Sequence, residues 1–256
     1  MQCVAFVSPL GGVGRTTLAA HSASLLAERG SCVLALDLSA QNTLGLHLGL
    51  AQPSQQGWYG AAAAGRWWAE AALENSTGVR LLPHGPLSSG DALPPPVPST
   101  WLAQQMAELD MPDHSVVVVD TPTLPAPLAQ QALLCADVVV FVLDASVRAV
   151  RAHALVQTWV EQLRSPQRWA VVVTGVDPRS GSKRQALGQL RTQWGEQLLP
   201  YVLHEDEYLP QALEHALCVH QVTPQAQSAH DLQGVARWIA AALQLPIPAT
   251  LPVGGP

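Results

Sequence analysis

Residues 2–17 read QCVAFVSPLGGVGRTT. A short apolar run, 2–7, is followed by three glycines, Gly11, Gly12 and Gly14, and then by TLAAHSASLLAERG (17–30), which has helical spacing and a glycine stop. Glycines between a strand and a helix let backbone N–H groups turn inward around a polyphosphate, and the helix N-terminus adds partial positive charge. Loops of this kind usually end Gly-Lys-Ser/Thr. This one ends Gly14-Arg15-Thr16. The expected phosphate-binding set is Gly11, Gly12, Val13, Gly14, Arg15, Thr16 and Thr17, with the Thr16 hydroxyl placed for Mg²⁺. A glycine turn without a ligand is the plainer alternative.

Two further positions weigh against that alternative. CVLALD ends in Asp37, and SVVVVD ends in Asp120 and opens DTPT. A carboxylate after an apolar strand is where P-loop proteins hold Mg²⁺ or its water, and open α/β sheets gather ligands at these strand ends. Either aspartate alone could cap a turn.

The rest of the chain supplies a matching frame. CVLALD (32–37), VRLLP (79–83), SVVVVD (115–120), DVVVFVL (137–143), WAVVVTGV (169–176) and LLPYVLH (198–204) read as strands. The valine-rich runs are continuous rather than alternating, as in parallel strands covered on both faces. Helices are expected over 99–110 with a Ser99 cap, and over 147–163, 182–194, 207–216 and 227–245. The fold class is α/β, a doubly wound, mainly parallel sheet of the P-loop NTPase kind. One domain is expected over 1–245, with a proline-rich loop at 86–99 and a proline-rich tail at 246–256.

Composition bounds the function. Of 256 residues, 48% are hydrophobic and 12% charged, which excludes disorder. A net charge of −6 argues against a broad nucleic-acid surface. Lys183 is the only lysine, so an arginine in the loop partly reflects composition. Cys3, Cys32, Cys135 and Cys218 show no CxxC spacing and read as small hydrophobes in a reducing compartment. No leader-like start and no membrane-length apolar run appear, so a cytoplasmic location is expected.

The loop, Asp37 and DTP at 120–122 resemble the MinD/ParA family of deviant Walker A ATPases, over most of the chain. Within that family, LLPHGPLS (81–88), LPYVLHEDEYLPQAL (199–213) and ARWIAAAL (236–243) resemble the BcsQ (YhjQ) branch of bacterial cellulose-synthesis operons. The resemblance implies ATP or ADP with Mg²⁺ held between two subunits of a homodimer. It implies the small helical protein BcsR and the cellulose synthase complex as partners, and contact with the inner membrane only through them. Departures follow the same comparison. Leu10 replaces the signature lysine that crosses the dimer, Arg15 the loop lysine, Pro9 a glycine, and Ser39 the aspartate that positions the attacking water. Arginine still neutralises phosphate. Retained ATP binding with weak or absent hydrolysis is the expectation.

By the same resemblance, Thr174 stands where relatives carry an asparagine that reads adenine, and His204 and Asp206 border the base and ribose. The acids of 205–207 are expected to cap the next helix. Trp58, Trp67 and Trp68, around the helix-like GRWWAEAAL, fit core packing or a partner surface. His47, His84, His153, His215, His220 and His230 read as structural or surface residues.

A cycling MinD- or ParA-type positioning ATPase is the competing function. Ser39, the acidic balance and the lack of a basic amphipathic C-terminal helix oppose it. An iron–sulfur reductase would need cysteines near 120–127, where there are none.

Overall fold

The computed structural model describes residues 1–87 and 98–246. The expected proline-rich loop falls largely, and the tail almost wholly, outside those residues. The strands are β1 (Gln2–Val7), β2 (Val33–Asp37), β3 (Leu73–Glu74), β4 (Arg80–Leu82), β5 (Val116–Asp120), β6 (Val138–Asp144) and β7 (Arg168–Thr174). They form one sheet in the order β3-β4-β2-β5-β1-β6-β7. Every pairing is parallel except that of β3 with β4.

The valine runs follow from this arrangement. Along β5, Val117 and Val119 enter one apolar cluster while Val116 and Val118 enter the other. All four are fully buried, each contributing roughly 1.5–3 kcal/mol of apolar burial. α1 (Arg15–Glu28) and α10 (Gln227–Ala242) cover one face of the sheet. α3 (Trp101–Ala107), α4 (Pro127–Cys135) and α7 (Gly181–Trp194) cover the other.

Four expectations need correction. LLPYVLH (198–204) is not a regular strand. Leu199 and Leu203 donate to the carbonyls of Val171 and Val173 at 2.9 and 2.8 Å, but only isolated bridges form. The donors are four residues apart on this segment but donate to carbonyls two apart on β7, so the pairing does not continue in register. The helix expected over 147–163 is two, α5 (Val147–Arg151) and α6 (His153–Val160). At their junction the Ala152 N–H is shared between the carbonyls of Arg148 and Ala149, which tightens the turn. Ser99 does not cap α3: Thr100 stands at the cap without a side-chain bond, and Gln131 Oε1 from α4 accepts the Leu102 N–H at 2.8 Å. GRWWAEAAL is a 3-10 turn (Trp68–Ala71) running into β3. It follows the short helix α2 (Trp58–Ala63), after which Gly65 takes a φ of 66° that favours glycine. Trp58 and Trp68 are buried, in line with core packing, whereas Trp67 is 55% exposed.

Candidate functional site

The glycine loop leaves the C-terminal end of β1, an interior strand between β5 and β6. Ser8 Oγ accepts the Leu10 N–H at 3.0 Å and sets the loop entry. Gly12 and Gly14 take φ values of 70° and 81°, a region that disfavours side chains. Gly14 is the N-cap of α1, so the first N–H groups of a 14-residue helix open toward the loop. Leu10 packs against both apolar clusters.

Behind the loop the strand ends gather the charge. β2 and β5 are in register with Asp37 opposite Asp120, and both are fully buried. Thr16 donates its hydroxyl to Asp120 Oδ2 at 2.6 Å. Asp120 Oδ1 is buried and has no partner among the described residues. Burial pushes the Asp120 carboxyl up, against the Thr16 hydrogen bond and the Arg15 charge. Burial and the charge of Asp120 also push Asp37 up, opposed by hydrogen bonds from backbone N–H groups. Two of those come from Ser39 at 2.9 Å and Leu44 at 3.1 Å, so Asp37 also holds the turn after β2.

Arg15 bends away from its helix. Its guanidinium donates to the Ser8 carbonyl at 3.3 Å and to Thr123 Oγ1, just past β5, at 3.0 Å. Burial lowers its pKa, and Asp120 partly restores it. Ser39 is buried, and its hydroxyl accepts the Gln41 N–H at 3.3 Å.

A cavity of about 500 Å³ opens beside the loop, lined by Gly12, Val13, Gly14, Thr17, Thr174, His204 and Asp206, with Leu209, Pro210 and Leu213 as an apolar wall. Arg15, Thr16, Asp37 and Asp120 do not line it, so the expected set divides into a cavity and an adjoining buried charged group. Thr174 commits its hydroxyl to the carbonyls of Val13 and Leu143, at 2.8 and 3.2 Å. Asp206 caps two helices. Oδ1 accepts the Tyr208 N–H of α8 (Tyr208–Glu214), and Oδ2 accepts both the N–H and the hydroxyl of Ser228 in α10.

Several contributors escaped the sequence reading of the site. Arg148 donates to Asp144 Oδ2 and to the Gly11 carbonyl, each at 3.1 Å, tying β6 to the loop. Asp144 and Arg148 are four apart, a spacing that could have flagged the pair. Lys183 pairs with Glu205 at the cavity rim. Asp231 of α10 accepts from His204 and carries no local sequence signal. His47 lines the cavity, and its ring lies 5.7 Å from that of buried His21. His21 contacts the Thr17 carbonyl through Nδ1 and accepts the Val219 N–H at Nε2, which makes it neutral. Burial lowers His21 to about 3 and His47 to about 4.

The donor set suits Mg²⁺ and a polyphosphate. A hydroxyl and an unpaired buried carboxylate oxygen are hard oxygen ligands beside helix N–H groups. Known proteins agree with the architecture. The chain is 18% identical to MinD of Pyrococcus horikoshii solved with Mg-ADP, with a TM-score of 0.78 over 98% of this chain and 99% of that one. It is 26% identical to the chromosome-partitioning ATPase Soj of Thermus thermophilus, over 94% of this chain and 96% of Soj. It is 29% identical to the cellulose biosynthesis protein BcsQ of Escherichia coli K12, over 89% of this chain and 90% of BcsQ. The family profile described as "Cellulose biosynthesis protein BcsQ" matches residues 1–240. A MinD-like frame and a profile match over nearly its whole length thus converge, and the chain belongs to the BcsQ family of cellulose biosynthesis proteins.

Proposed function

We propose that this chain binds ATP or ADP with Mg²⁺ and acts as a nucleotide-held homodimeric scaffold or regulator in bacterial cellulose biosynthesis and secretion, with weak or no hydrolysis. One observation carries the reading: the Thr16–Asp120 pair, whose unpaired buried oxygen lies beside the glycine loop. Bound Mg²⁺ would neutralise phosphate charge there. Gly11 to Thr17 offer backbone N–H groups and hydroxyls to the phosphates, and Asp37 and Asp120 hold the ion or its waters. Thr174, His204 and Asp206 border the base and ribose.

Ser39 supports weak turnover. Its hydroxyl already accepts a backbone N–H, and it has no carboxylate to orient an attacking water. The protein is read as cytoplasmic, with no nucleic-acid partner. A BcsR-like small protein and the cellulose synthase complex are its proposed partners, and they recruit it to the inner membrane. Among the described residues no helix is long and apolar enough to cross a membrane.

Three measurements on purified protein test this: nucleotide affinity with and without Mg²⁺, turnover, and mass in solution with each nucleotide. Mg²⁺-dependent binding, slow or undetectable turnover and a nucleotide-dependent dimer are expected. Robust turnover that Asp37→Ala abolishes would sink the scaffold reading in favour of a cycling ATPase. A persistent monomer with saturating ATP and the BcsR-like partner would sink the dimer.

A further inference from the structure

At the base end of the cleft, Thr174 has committed its single proton to backbone carbonyls. His204 is differently placed. It lines the cavity, with a side chain 28% exposed. Its Nδ1 lies 2.8 Å from Asp231 Oδ2, and the same oxygen accepts its backbone N–H at 3.0 Å. Asp231 is 8% exposed, and its other oxygen accepts from Gln227 Nε2 at 2.8 Å. A carboxylate can only accept, so the ring nitrogen facing it carries the proton. In the neutral imidazole the opposite nitrogen, Nε2, is then an acceptor.

Helix capping does not account for Asp231. It sits in the second turn of α10, and Asp206 already takes the Ser228 N–H in the first turn. Its two bonds to one residue fix both where His204 lies along the chain and how its ring is turned.

Resting on the reading that the cleft takes a nucleotide, we propose that Asp231 is a positioning residue for nucleoside recognition. It holds His204 so that Nε2 accepts a hydrogen bond from the nucleoside. The donor is the exocyclic amine of the base or a ribose hydroxyl, and both present the same N–H or O–H chemistry.

The test compares ATP with inosine triphosphate, which lacks the amine, and with 2′-deoxy and 3′-deoxy ATP, which lack one hydroxyl each. Affinities are read by competition against a fluorescent nucleotide for wild type, His204→Phe, Asp231→Leu and Asp231→Asn, each checked by thermal melting. Wild type is expected to prefer ATP about tenfold over the analogue lacking the donor. His204→Phe and Asp231→Leu erase that preference. Asp231→Asn keeps an acceptor oxygen for Nδ1 and restores part of it. A merely structural role would weaken all ligands in parallel. Nitrogen NMR of the nucleotide-free protein reads the tautomer directly, with Nδ1 protonated in wild type and a mixture in Asp231→Leu. A preference that survives His204→Phe, or no preference against any analogue, overturns the proposal while leaving nucleotide binding in place. A wild type protonated at Nε2, alone or together with Nδ1, also overturns it. Wild-type protein that binds none of the four overturns the nucleotide reading itself, and this inference with it.

Discussion

The proposed phosphate end and the proposed base end of the cleft meet at α1, yet they are made of opposite materials. The phosphate end is backbone plus buried carboxyl groups held above their usual range. The base end is an apolar wall backed by imidazoles held below theirs. Acid acts on the two with opposite sign. Above pH 6.5 the histidines are neutral in both folded and unfolded chains and contribute no slope. Below it the unfolded chain takes up protons that His21 and His47 refuse, and stability is lost down toward their folded values of about 3 and about 4. The raised carboxyl groups of Asp37 and Asp120 protonate first in the folded state, so acid stabilises that end.

The largest expected effect breaks this balance. From pH 7.5 to pH 5 the two histidines together remove about 4 kcal/mol. In the wild type the gain at Asp37 and Asp120 opposes this loss, so denaturant unfolding of nucleotide-free, Mg²⁺-free protein reads it as the difference in pH dependence between wild type and variants. Asp120→Asn, which removes part of the opposing contribution, steepens it, and His47→Leu flattens it.

The next effect separates stability from binding at the phosphate end alone. Asp120→Asn removes a buried like-charge partner, and is expected to raise nucleotide-free stability by about 1 kcal/mol. It is also expected to weaken Mg²⁺-nucleotide binding about thirtyfold or more. Thr16→Ala weakens the same binding about tenfold without the gain in stability. With EDTA present, Thr16→Ala matches wild type in affinity, and Asp120→Asn, which removes a negative charge beside the phosphates, equals or exceeds it. A Thr16→Ala protein whose affinity falls equally with and without Mg²⁺ would remove the metal from the picture.

The smallest effect lies where the two ends touch. Thr174→Val keeps the shape but leaves the Val13 carbonyl without its hydroxyl partner, costing about 1 kcal/mol of stability. Its effect on ATP against inosine triphosphate is expected to be nil, because the hydroxyl already serves the backbone. A changed preference would return Thr174 to a role in reading the base.

The two ends also differ in how far sequence reveals them. The glycines and Thr16 are contiguous, and Asp37 and Asp120 end obvious strands, so the phosphate end is legible from local pattern alone. The base end is not. His204 and Asp231 are 27 residues apart and meet where α10 packs on the core and Asp206 docks its start. The same division runs through the fold. Valine runs buried on two faces announce β5 and β6, whereas LLPYVLH has strand composition but falls out of register with β7 between Leu199 and Leu203. The two-residue β3 and the four-residue α9 (Val219–Val222) are too short to carry any period.

One contact makes the carboxylate pair observable. Trp58 Nε1 donates to the backbone carbonyl of Asp37 at 2.7 Å, and its ring lies 5.1 Å from that of Trp101. The Asp37 carboxylate holds the turn after β2, so reordering of that turn around an ion would reach the peptide group to which the indole is bonded. If the proposed Mg²⁺-nucleotide reorders that turn, intrinsic emission is expected to change on its addition, and Trp58→Phe to remove most of that change.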